Sequence, residues 1–277
     1  MVKFDQLKNY CELCGSKRIS LYYTTVDAID IYKCHNCGVQ FMNPQYCDEY
    51  LADYYSKYLS EKPEYDKGLF YSHNFCLDLI EKIRSNKGSL LDVGCGYGHL
   101  ISYAKNRGWQ VLGFDIDCAA VERISKQINV KILCGDFTKL KFNPETFDVI
   151  TMLHVIEHLK HPVEYLSIIS KLIKKQGVFF LALPNIRSRA AITKFYLERL
   201  GFRKKWKGNY YDTAHHLWYF NPKSIKYILQ KLGFKVVDIR SGRHVKPIKF
   251  EVKKYVIEKI SDRILWRSTM LITTIKE

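Results

Sequence analysis

Short apolar runs alternate with segments of helical apolar spacing through the middle of the chain, from about residue 73 to residue 185. Apolar runs bounded by turn residues predict buried strands, whereas apolar residues that recur every three or four positions predict amphipathic helices. The predicted strands are 90–93, 109–117, 130–137, the start of 147–159, and 177–185, and the predicted helices are 73–85, 118–128 and 162–174. This alternation predicts an α/β fold, in which a mostly parallel sheet carries helices on both faces.

The last part of the chain continues the alternation in a more irregular way. A basic and aromatic segment, roughly 186–220, precedes a predicted helix at 223–232 and a predicted strand at 234–240. An amphipathic basic segment follows at 248–265, and the chain ends in the apolar run STMLITTIKE. The final run therefore predicts one more strand.

Four of the nine cysteines form two C-x-x-C pairs near the N-terminus, at Cys11, Cys14, Cys34 and Cys37. A glycine follows each pair and permits the tight turn that presents two thiolates to one ion. Zinc prefers four such ligands in a tetrahedron, and the paired spacing is typical of a zinc ribbon. The pattern predicts a structural Zn²⁺ ion, with a degenerate or redox pair as the alternative. The other five cysteines are expected to be buried small hydrophobic residues: Cys47, Cys76, Cys95, Cys118 and Cys134.

These patterns divide the chain into three predicted parts. They are a zinc ribbon over 1–45, a tyrosine-rich connector over 46–72, and a larger domain over 73–277. A connector so rich in tyrosine either packs against the larger domain or covers its ligand as a lid.

The first predicted strand of the larger domain ends in DVGCGYG, residues 92–98, and a helical segment follows. Strand, glycine turn and helix form the first βα unit of a Rossmann-like sheet, which binds ligands at the carboxyl ends of its strands. The pattern D-x-G-x-G-x-G differs from the G-x-G-x-x-G turn that favours a dinucleotide pyrophosphate. Asp115 and Asp136 end the next two strands, where carboxylates accept hydrogen bonds from ligand hydroxyl and amino groups.

Five motifs in order, LLDVGCGYG, VLGFDID, CGDF, FDVITMLHVIEHL and KQGVFFLALPN, resemble the successive motifs of class I S-adenosylmethionine-dependent methyltransferases. The resemblance covers about residues 70–185. It implies a Rossmann-like, seven-stranded, mostly parallel sheet whose last two strands form an antiparallel closing pair. It also implies that S-adenosylmethionine is bound by Asp92, Gly94, Cys95, Gly96, Asp115, Ile116, Asp136, Phe137 and Leu153. A Rossmann nucleotide site is the alternative for the glycine turn.

The segment HHLWYFNPKSIKYILQKLGF, residues 215–234, narrows the resemblance. It is similar to the His-Leu-x-x-Phe-x-Pro segment of a bacterial subgroup often encoded with surface-polysaccharide and secondary-metabolite genes. Members of that subgroup frequently carry an N-terminal zinc ribbon. This likeness does not identify a substrate. The favoured function is methyl transfer to a sugar, a nucleotide-sugar or a lipid-linked saccharide, with an oxygen as the expected acceptor atom.

Transfer to a hydroxyl group requires a base, and histidine is the natural base near neutral pH. The candidates are His154, His215 and His216. The pair His215 and His216 is favoured because its segment is expected to line the acceptor pocket, and a structural role is the alternative. Glu157 and His158 are expected to cap and pack the helix after the fourth strand.

The formal charge of +16 is concentrated in residues 187–277, which contain 22 Lys and Arg but only 7 Asp and Glu. This asymmetry predicts an anionic substrate or a peripheral contact with an anionic membrane, with solvated lysines as the alternative. Nucleic acid is disfavoured because the ribbon is not basic and the Asn/Asp-Pro-Pro-aromatic box is absent. RNA methylation and a non-catalytic binding module remain the alternative functions. No run suits a membrane span or a secretion signal, so the cytoplasm is the expected compartment.

Overall fold

A computed structural model describes residues 3–25, 27–56, 68–200, 210–242, 265 and 267–277. Its first elements are β1 (Ile19–Thr24), β2 (Asp30–Cys34), β3 (Gln40–Met42), α1 (Asp48–Ser56) and α2 (Gly68–Ile83). Strands and helices then alternate as β4 (Ser89–Val93), α3 (His99–Asn106), β5 (Gln110–Asp115), α4 (Cys118–Ile128), β6 (Ile132–Cys134), β7 (Phe147–Leu153), α5 (Pro162–Leu172) and β8 (Ile173–Pro184). The remaining elements are α6 (Arg189–Arg199), β9 (Trp218–Tyr219), α7 (Pro222–Lys231), β10 (Phe234–Ser241) and β11 (Thr269–Lys276).

A seven-stranded sheet forms the centre of the molecule, with the order β10-β11-β8-β7-β4-β5-β6. The strands from β8 to β6 pair in parallel, whereas β11 pairs antiparallel with both β8 and β10. The order reverses beside β4, and such a switch point opens a crevice at the carboxyl ends of the strands. The expected α/β fold, with its mostly parallel sheet and antiparallel closing pair, is confirmed.

Consecutive strand residues enter different hydrophobic clusters, because side chains alternate between the two faces of a sheet. Leu90 packs with residues of α2, α3 and α4, whereas Leu91 packs with residues of α5 and α7. Val149 and Ile150 of β7 divide in the same way. Strands that are buried on both faces have nearly continuous apolar sequences, which is why the apolar runs predicted them.

A second, four-stranded sheet with the order β1-β2-β3-β9 is antiparallel throughout. Its last strand comes from the C-terminal part of the chain, since Phe41 pairs with Trp218. Both side chains are about 1% exposed, and their rings lie 5.4 Å apart. The N-terminal sheet is therefore built into the larger domain. The three predicted domain boundaries remain a prediction.

Two predicted elements differ in detail. The third strand is Ile132–Cys134 instead of 130–137, because the Asp136 carboxylate accepts the Thr138 N–H at 2.9 Å and starts a 3-10 helix. The fifth strand, predicted at 177–185, begins earlier as β8 at Ile173, and Gln176 inside it has a positive φ of 61°. Of the predicted basic segment at 248–265, only residue 265 lies among the described residues.

No helix in the described ranges has the length and apolarity needed to cross a membrane.

Candidate active site

A cavity of about 430 Å³ lies at the carboxyl ends of β4, β5 and β7, where the strand order reverses. Eight of the residues singled out by sequence line it: Asp92, Gly94, Cys95, Gly96, Asp115, Ile116, Leu153 and His154. The fold thus brings together side chains from three strands that are up to 62 positions apart in the sequence. The cavity volume lies within the range of about 300–1,000 Å³ that small-molecule and cofactor sites occupy.

The glycine turn forms one wall of this cavity. Gly94 has a φ of 75°, and a Cβ atom there would lie 2.2 Å from Cγ2 of Val155. Gly96 has a φ of 52°, and a Cβ atom there would meet nothing within 4 Å. Glycine at the first position is needed for close packing and for its backbone conformation. Glycine at the second leaves open space beside the backbone, into which a ligand fits.

Asp92 is a buried carboxylate on the floor of the cavity, 3% exposed. Its Oδ1 accepts a hydrogen bond of 2.6 Å from the Thr151 hydroxyl group. Burial raises the pKa of Asp92 to about 7, against the lowering effect of the Thr151 hydrogen bond, and the nearby Asp115 charge raises it further. An uncompensated buried carboxylate of this kind favours a cationic ligand.

Asp115 lies next to the glycine turn in the cavity wall. Its Oδ2 accepts the Gly96 N–H at 2.8 Å, and its Oδ1 accepts the Asp117 N–H at 3.2 Å. Burial raises the pKa of Asp115, which those backbone hydrogen bonds partly offset. The next residue, Ile116, is 52% exposed and offers an apolar surface at the cavity mouth.

Asp136 and Phe137 do not belong to the cavity wall. The Asp136 carboxylate points to its own 3-10 helix and to Lys139, whose Nζ lies 3.2 Å from Oδ2. Phe137 is completely buried and stacks on Tyr165 at 5.3 Å. Tyr165 is the residue that reaches the cavity, so Phe137 supports the wall from behind. The prediction that both residues contact the cofactor stays a prediction.

His154 lies directly after β7 with a φ of 56°, a conformation that non-glycine residues rarely adopt. Its backbone N–H donates to the Ala182 carbonyl oxygen at 2.7 Å, which holds this conformation in place. Its side chain is 49% exposed at the cavity, and its Nδ1 lies 3.3 Å from Oε1 of Glu157. Strained backbone of this kind is concentrated at functional sites.

Glu157 is completely buried in the 3-10 helix Ile156–His158. Burial alone raises the pKa of a carboxyl group, but here the His154 hydrogen bond and the surrounding imidazoles lower the pKa of Glu157 to about 2. Glu157 was expected only to cap and pack the helix, but its charged carboxylate also orients the His154 ring. With Nδ1–H donated to Glu157, Nε2 of His154 is left as an acceptor.

Three further imidazoles, those of His158, His215 and His216, form what we call the histidine cluster. Their ring centroids are 4.8–5.0 Å apart. Nδ1 of His158 donates to the His215 carbonyl oxygen at 3.1 Å. Burial lowers the pKa values of His158 and His216, which keeps both rings neutral near pH 7. The favoured base candidates thus lie in a cluster that includes a histidine expected only to pack.

A second cavity of about 850 Å³ lies on the other side of the histidine cluster. His216 lines this second cavity, whereas His158 lines the first. Its wall is rich in tyrosine and carries two lysines and two aspartates: Lys3, Asp27, Tyr46, Tyr50, Tyr54, Lys194, Tyr210, Tyr211, Asp212 and Tyr219. Tyr46, Tyr50 and Tyr54 belong to the predicted connector, so that segment lines this cavity. Residues 57–67 of the connector lie outside the described residues.

Several lining residues of the first cavity were not singled out by sequence. They are Tyr55, His73, Tyr97, His99, Val155, Leu159 and Tyr165. Tyr97 lies within the glycine motif, which was a usable signal. The others project from helices and loops distant in sequence, where an isolated aromatic residue or histidine predicts packing equally well.

The four N-terminal cysteines form a compact cluster. The Sγ atoms of Cys11 and Cys37 are 3.8 Å apart, and those of Cys14 and Cys34 are 3.5 Å apart. All four sulfur atoms lie within 4.8 Å of one another.

Two other cysteines, Cys118 and Cys134, are linked by a disulfide bond across the N-terminus of α4 and the end of β6. Both are exposed, so the expectation that they are buried small hydrophobic residues is wrong. The parallel pairing of β5 with β6 brings the two side chains together, with Cα atoms 5.1 Å apart. Cys76 and Cys95 are buried as expected, and Cys47 is half-buried.

Curated proteins resemble this chain in sequence. Ubiquinone biosynthesis O-methyltransferase from Coxiella burnetii is 29% identical over 181 residues, which cover 63% of this chain and 75% of the relative. The enzyme of that name from Rickettsia bellii is 30% identical over 174 residues, which cover 58% of this chain and 70% of the relative.

Solved structures share the fold at low identity. Magnesium protoporphyrin IX methyltransferase from Synechocystis PCC 6803, with bound SAH, has a TM-score of 0.56 and 13% identity, over 83% of this chain and all of that one. The PH0226 protein from Pyrococcus horikoshii OT3 has the same TM-score and 17% identity, over 81% of this chain and 99% of that one. The sequence profile of the family described as "Methyltransferase domain" matches residues 65–239. The chain therefore belongs to the methyltransferase domain family, as a class I S-adenosylmethionine-dependent methyltransferase with an N-terminal four-cysteine cluster.

Proposed function

We propose that this enzyme methylates an oxygen atom of a small-molecule or glycan acceptor, such as a sugar, a nucleotide-sugar or a lipid-linked saccharide. The observation that carries the proposal is the pairing of His154 with the buried Glu157, across 3.3 Å, at the wall of the cofactor cavity. A hydroxyl group keeps its proton at neutral pH, so an oxygen acceptor needs such a base. The O-methyltransferase activity of the two named relatives supports the same acceptor atom.

The residues of the 430 Å³ cavity fit S-adenosylmethionine, which supplies an activated methyl group on a sulfonium. The buried carboxylate of Asp92 suits the positively charged end of the ligand, because a cation stabilises an ion that burial destabilises. The Asp115 carboxylate retains lone pairs for the two ribose hydroxyl groups. The open space beside Gly96 leaves room for the methionine part of the ligand, and Ile116 offers an apolar face to the adenine ring.

His154 acts as the base in this proposal, and Glu157 orients it. Nε2 of His154 takes the acceptor proton while the acceptor oxygen forms its bond to the methyl carbon. S-adenosylmethionine held beside Asp92 and Asp115 would supply the methyl group, and the electron pair of the broken carbon–sulfur bond would remain on its sulfur. A positioned base contributes about 10²–10⁴-fold to such a step. The charged Glu157 stabilises the imidazolium that forms, as a carboxylate does when it accepts a hydrogen bond from a catalytic histidine.

The 850 Å³ cavity is proposed to hold the body of the acceptor, whose reacting hydroxyl group extends past the histidine cluster to His154 in the cofactor cavity. The tyrosines of the 850 Å³ cavity combine flat apolar faces with hydroxyl groups, which suits the amphipathic faces of a sugar ring. Lys3 and Lys194 share the wall with Asp27 and Asp212, so the wall has balanced charge and offers both donors and acceptors to the hydroxyl groups of a sugar. The concentration of basic residues after position 187 supports an anionic acceptor or an anionic membrane surface as its source.

The four-cysteine cluster is proposed to hold a structural Zn²⁺ ion. Four thiolates at a Zn–S distance of about 2.3 Å in a tetrahedron lie about 3.8 Å from one another. The observed separations of 3.8 Å and 3.5 Å are close to this geometry. A closed site of four thiolates leaves no coordination position for a reaction, so the ion would stabilise the N-terminal sheet only.

The test is a methyl-transfer assay with labelled S-adenosylmethionine against sugar nucleotides, lipid-linked glycans and RNA. We expect transfer to one of the first two classes, and a drop of about 10²–10⁴-fold in kcat for His154→Gln with unchanged cofactor affinity. His161→Gln is the matched control, because His161 is 52% exposed and pairs with Glu12 away from both cavities.

Two outcomes would contradict the proposal. Undiminished kcat in His154→Gln would exclude this residue as the base. Transfer to RNA alone, with binding that weakens steeply as salt rises, would favour the alternative function.

A further inference from the structure

The histidine cluster has the arrangement of a metal site. Each of its three imidazoles offers one ring nitrogen, and these nitrogens all lie within 4.8 Å of one another. Three ligand nitrogens about 2.1 Å from one ion would lie roughly 3.4 Å apart, so each side chain needs to move by about 1 Å or less to reach it. His215 lies in a turn and His216 directly follows it, so neither residue belongs to a helix or strand.

The hydrogen bonding of His158 supplies a second, independent indication. Its Nδ1 lies 3.1 Å from the His215 carbonyl oxygen. Because a carbonyl oxygen only accepts, Nδ1 carries the proton and Nε2 carries the free lone pair. Histidines that bind metals commonly donate their other ring N–H to a backbone carbonyl, which fixes the tautomer and the ring orientation.

A buried carboxylate lies next to that lone pair. Oε1 of Glu157 is 4.0 Å from Nε2 of His158. The second oxygen of Glu157, Oε2, is buried and accepts no hydrogen bond from any described residue. An anion that is buried in this way favours a cation beside it.

We propose that His158, His215 and His216 bind a divalent first-row transition-metal ion at the junction of the two cavities. Imidazole nitrogen favours Zn²⁺, Fe²⁺, Co²⁺ or Ni²⁺, whereas Mg²⁺ and Ca²⁺ prefer oxygen ligands. Three protein ligands leave a position open for water or for an oxygen of the acceptor, unlike the closed four-cysteine cluster. Its use in methyl transfer rests on the proposed function, where an acceptor hydroxyl bound to the ion would lose its proton to His154 more readily.

The experiment measures metal binding alone, with neither S-adenosylmethionine nor acceptor present. Protein isolated with zinc in its four-cysteine cluster is titrated with CoCl₂ and followed by calorimetry and visible absorption. We expect one Co²⁺ per chain in addition to the zinc, without the thiolate-to-cobalt charge-transfer band that binding to the cysteines produces. His158→Gln and His215→Gln each weaken Co²⁺ binding by at least about tenfold. His161→Gln, the matched control, binds Co²⁺ as the wild type does.

Zinc content and far-UV circular dichroism report whether each variant remains folded. Any of three results overturns the proposal: no Co²⁺ binding at millimolar concentration, wild-type affinity in folded His215→Gln, or binding only with the thiolate band. Failure of the proposed function is separate, since undiminished kcat in His154→Gln would leave the Co²⁺ titration unaffected.

Discussion

The substitution Asp92→Asn tests whether the buried charge of Asp92 destabilises the cofactor-free protein. Asp92 is 3% exposed, and burial raises its pKa from the usual 3.8 to about 7. In the unfolded chain the pKa returns to about 3.9, so ionisation is harder in the folded state than in the unfolded one. A raised acid pKa means that stability is lost as pH rises from about 4 to about 7, and that the full cost is present above pH 7.

The size of the effect follows from the shift. Three pKa units at 1.36 kcal/mol each correspond to about 4 kcal/mol at pH 8, and to roughly 1–2 kcal/mol at pH 5. Asparagine has the same shape without the charge, and its Oδ1 still accepts the Thr151 hydroxyl group. We therefore expect the cofactor-free Asn variant to be more stable than the wild type, by a margin that grows by a few kcal/mol from pH 5 to pH 8.

The assay is urea unfolding of both proteins at pH 5 and pH 8, with equal metal content and without cofactor. Asp136→Asn is the control, because the Thr138 hydrogen bond lowers the pKa of Asp136 and reverses the expected sign with pH. The same Asp92→Asn change should weaken S-adenosylmethionine binding, measured by calorimetry. A stability difference that is independent of pH, or a less stable variant at pH 8, would refute the reasoning.

Three further predictions test other parts of the molecule. Asp115→Ala is expected to abolish S-adenosylmethionine binding in calorimetry, and wild-type affinity would contradict the ribose assignment. Metal analysis of the purified protein should give about one zinc per chain. The variant Cys14→Ser should lose that zinc and have a lower Tm. Folded, zinc-free wild-type protein would count against the site. Gly94→Ala should destabilise the protein by about 1–3 kcal/mol in urea unfolding, because the new Cβ would lie 2.2 Å from Val155 Cγ2 at a φ of 75°. Gly15→Ala is its control, since a Cβ there meets nothing within 4 Å at a similar φ of 74°.

Much of the central sheet was predictable because its information is local. The helix predicted at 118–128 is observed as Cys118–Ile128, and the strand predicted at 90–93 as Ser89–Val93. Apolar periodicity and turn residues act over a few positions, so they specify elements before any long-range contact forms. The glycine turn and the acids that end strands were equally visible, since parallel strands bring their carboxyl ends to one edge.

Contacts between distant segments required the tertiary structure. The pairing of Phe41 with Trp218 joins residues 177 positions apart. The sequence around each residue does not indicate which strand it pairs with. The disulfide between Cys118 and Cys134 depends on how β5 and β6 align.

The chemistry divides in the same way. The sequence by itself determined the methyltransferase fold, the glycine turn and the paired cysteines, because each is a pattern of neighbouring residues. Only the tertiary structure decided which of the three candidate bases faces the cofactor cavity: His154 does and is oriented by Glu157, whereas His215 packs in the histidine cluster and accepts a hydrogen bond from His158 through its carbonyl oxygen. The physical reason is that the direction and protonation of an imidazole depend on the burial and partners around it, and these arise only when separate segments pack together.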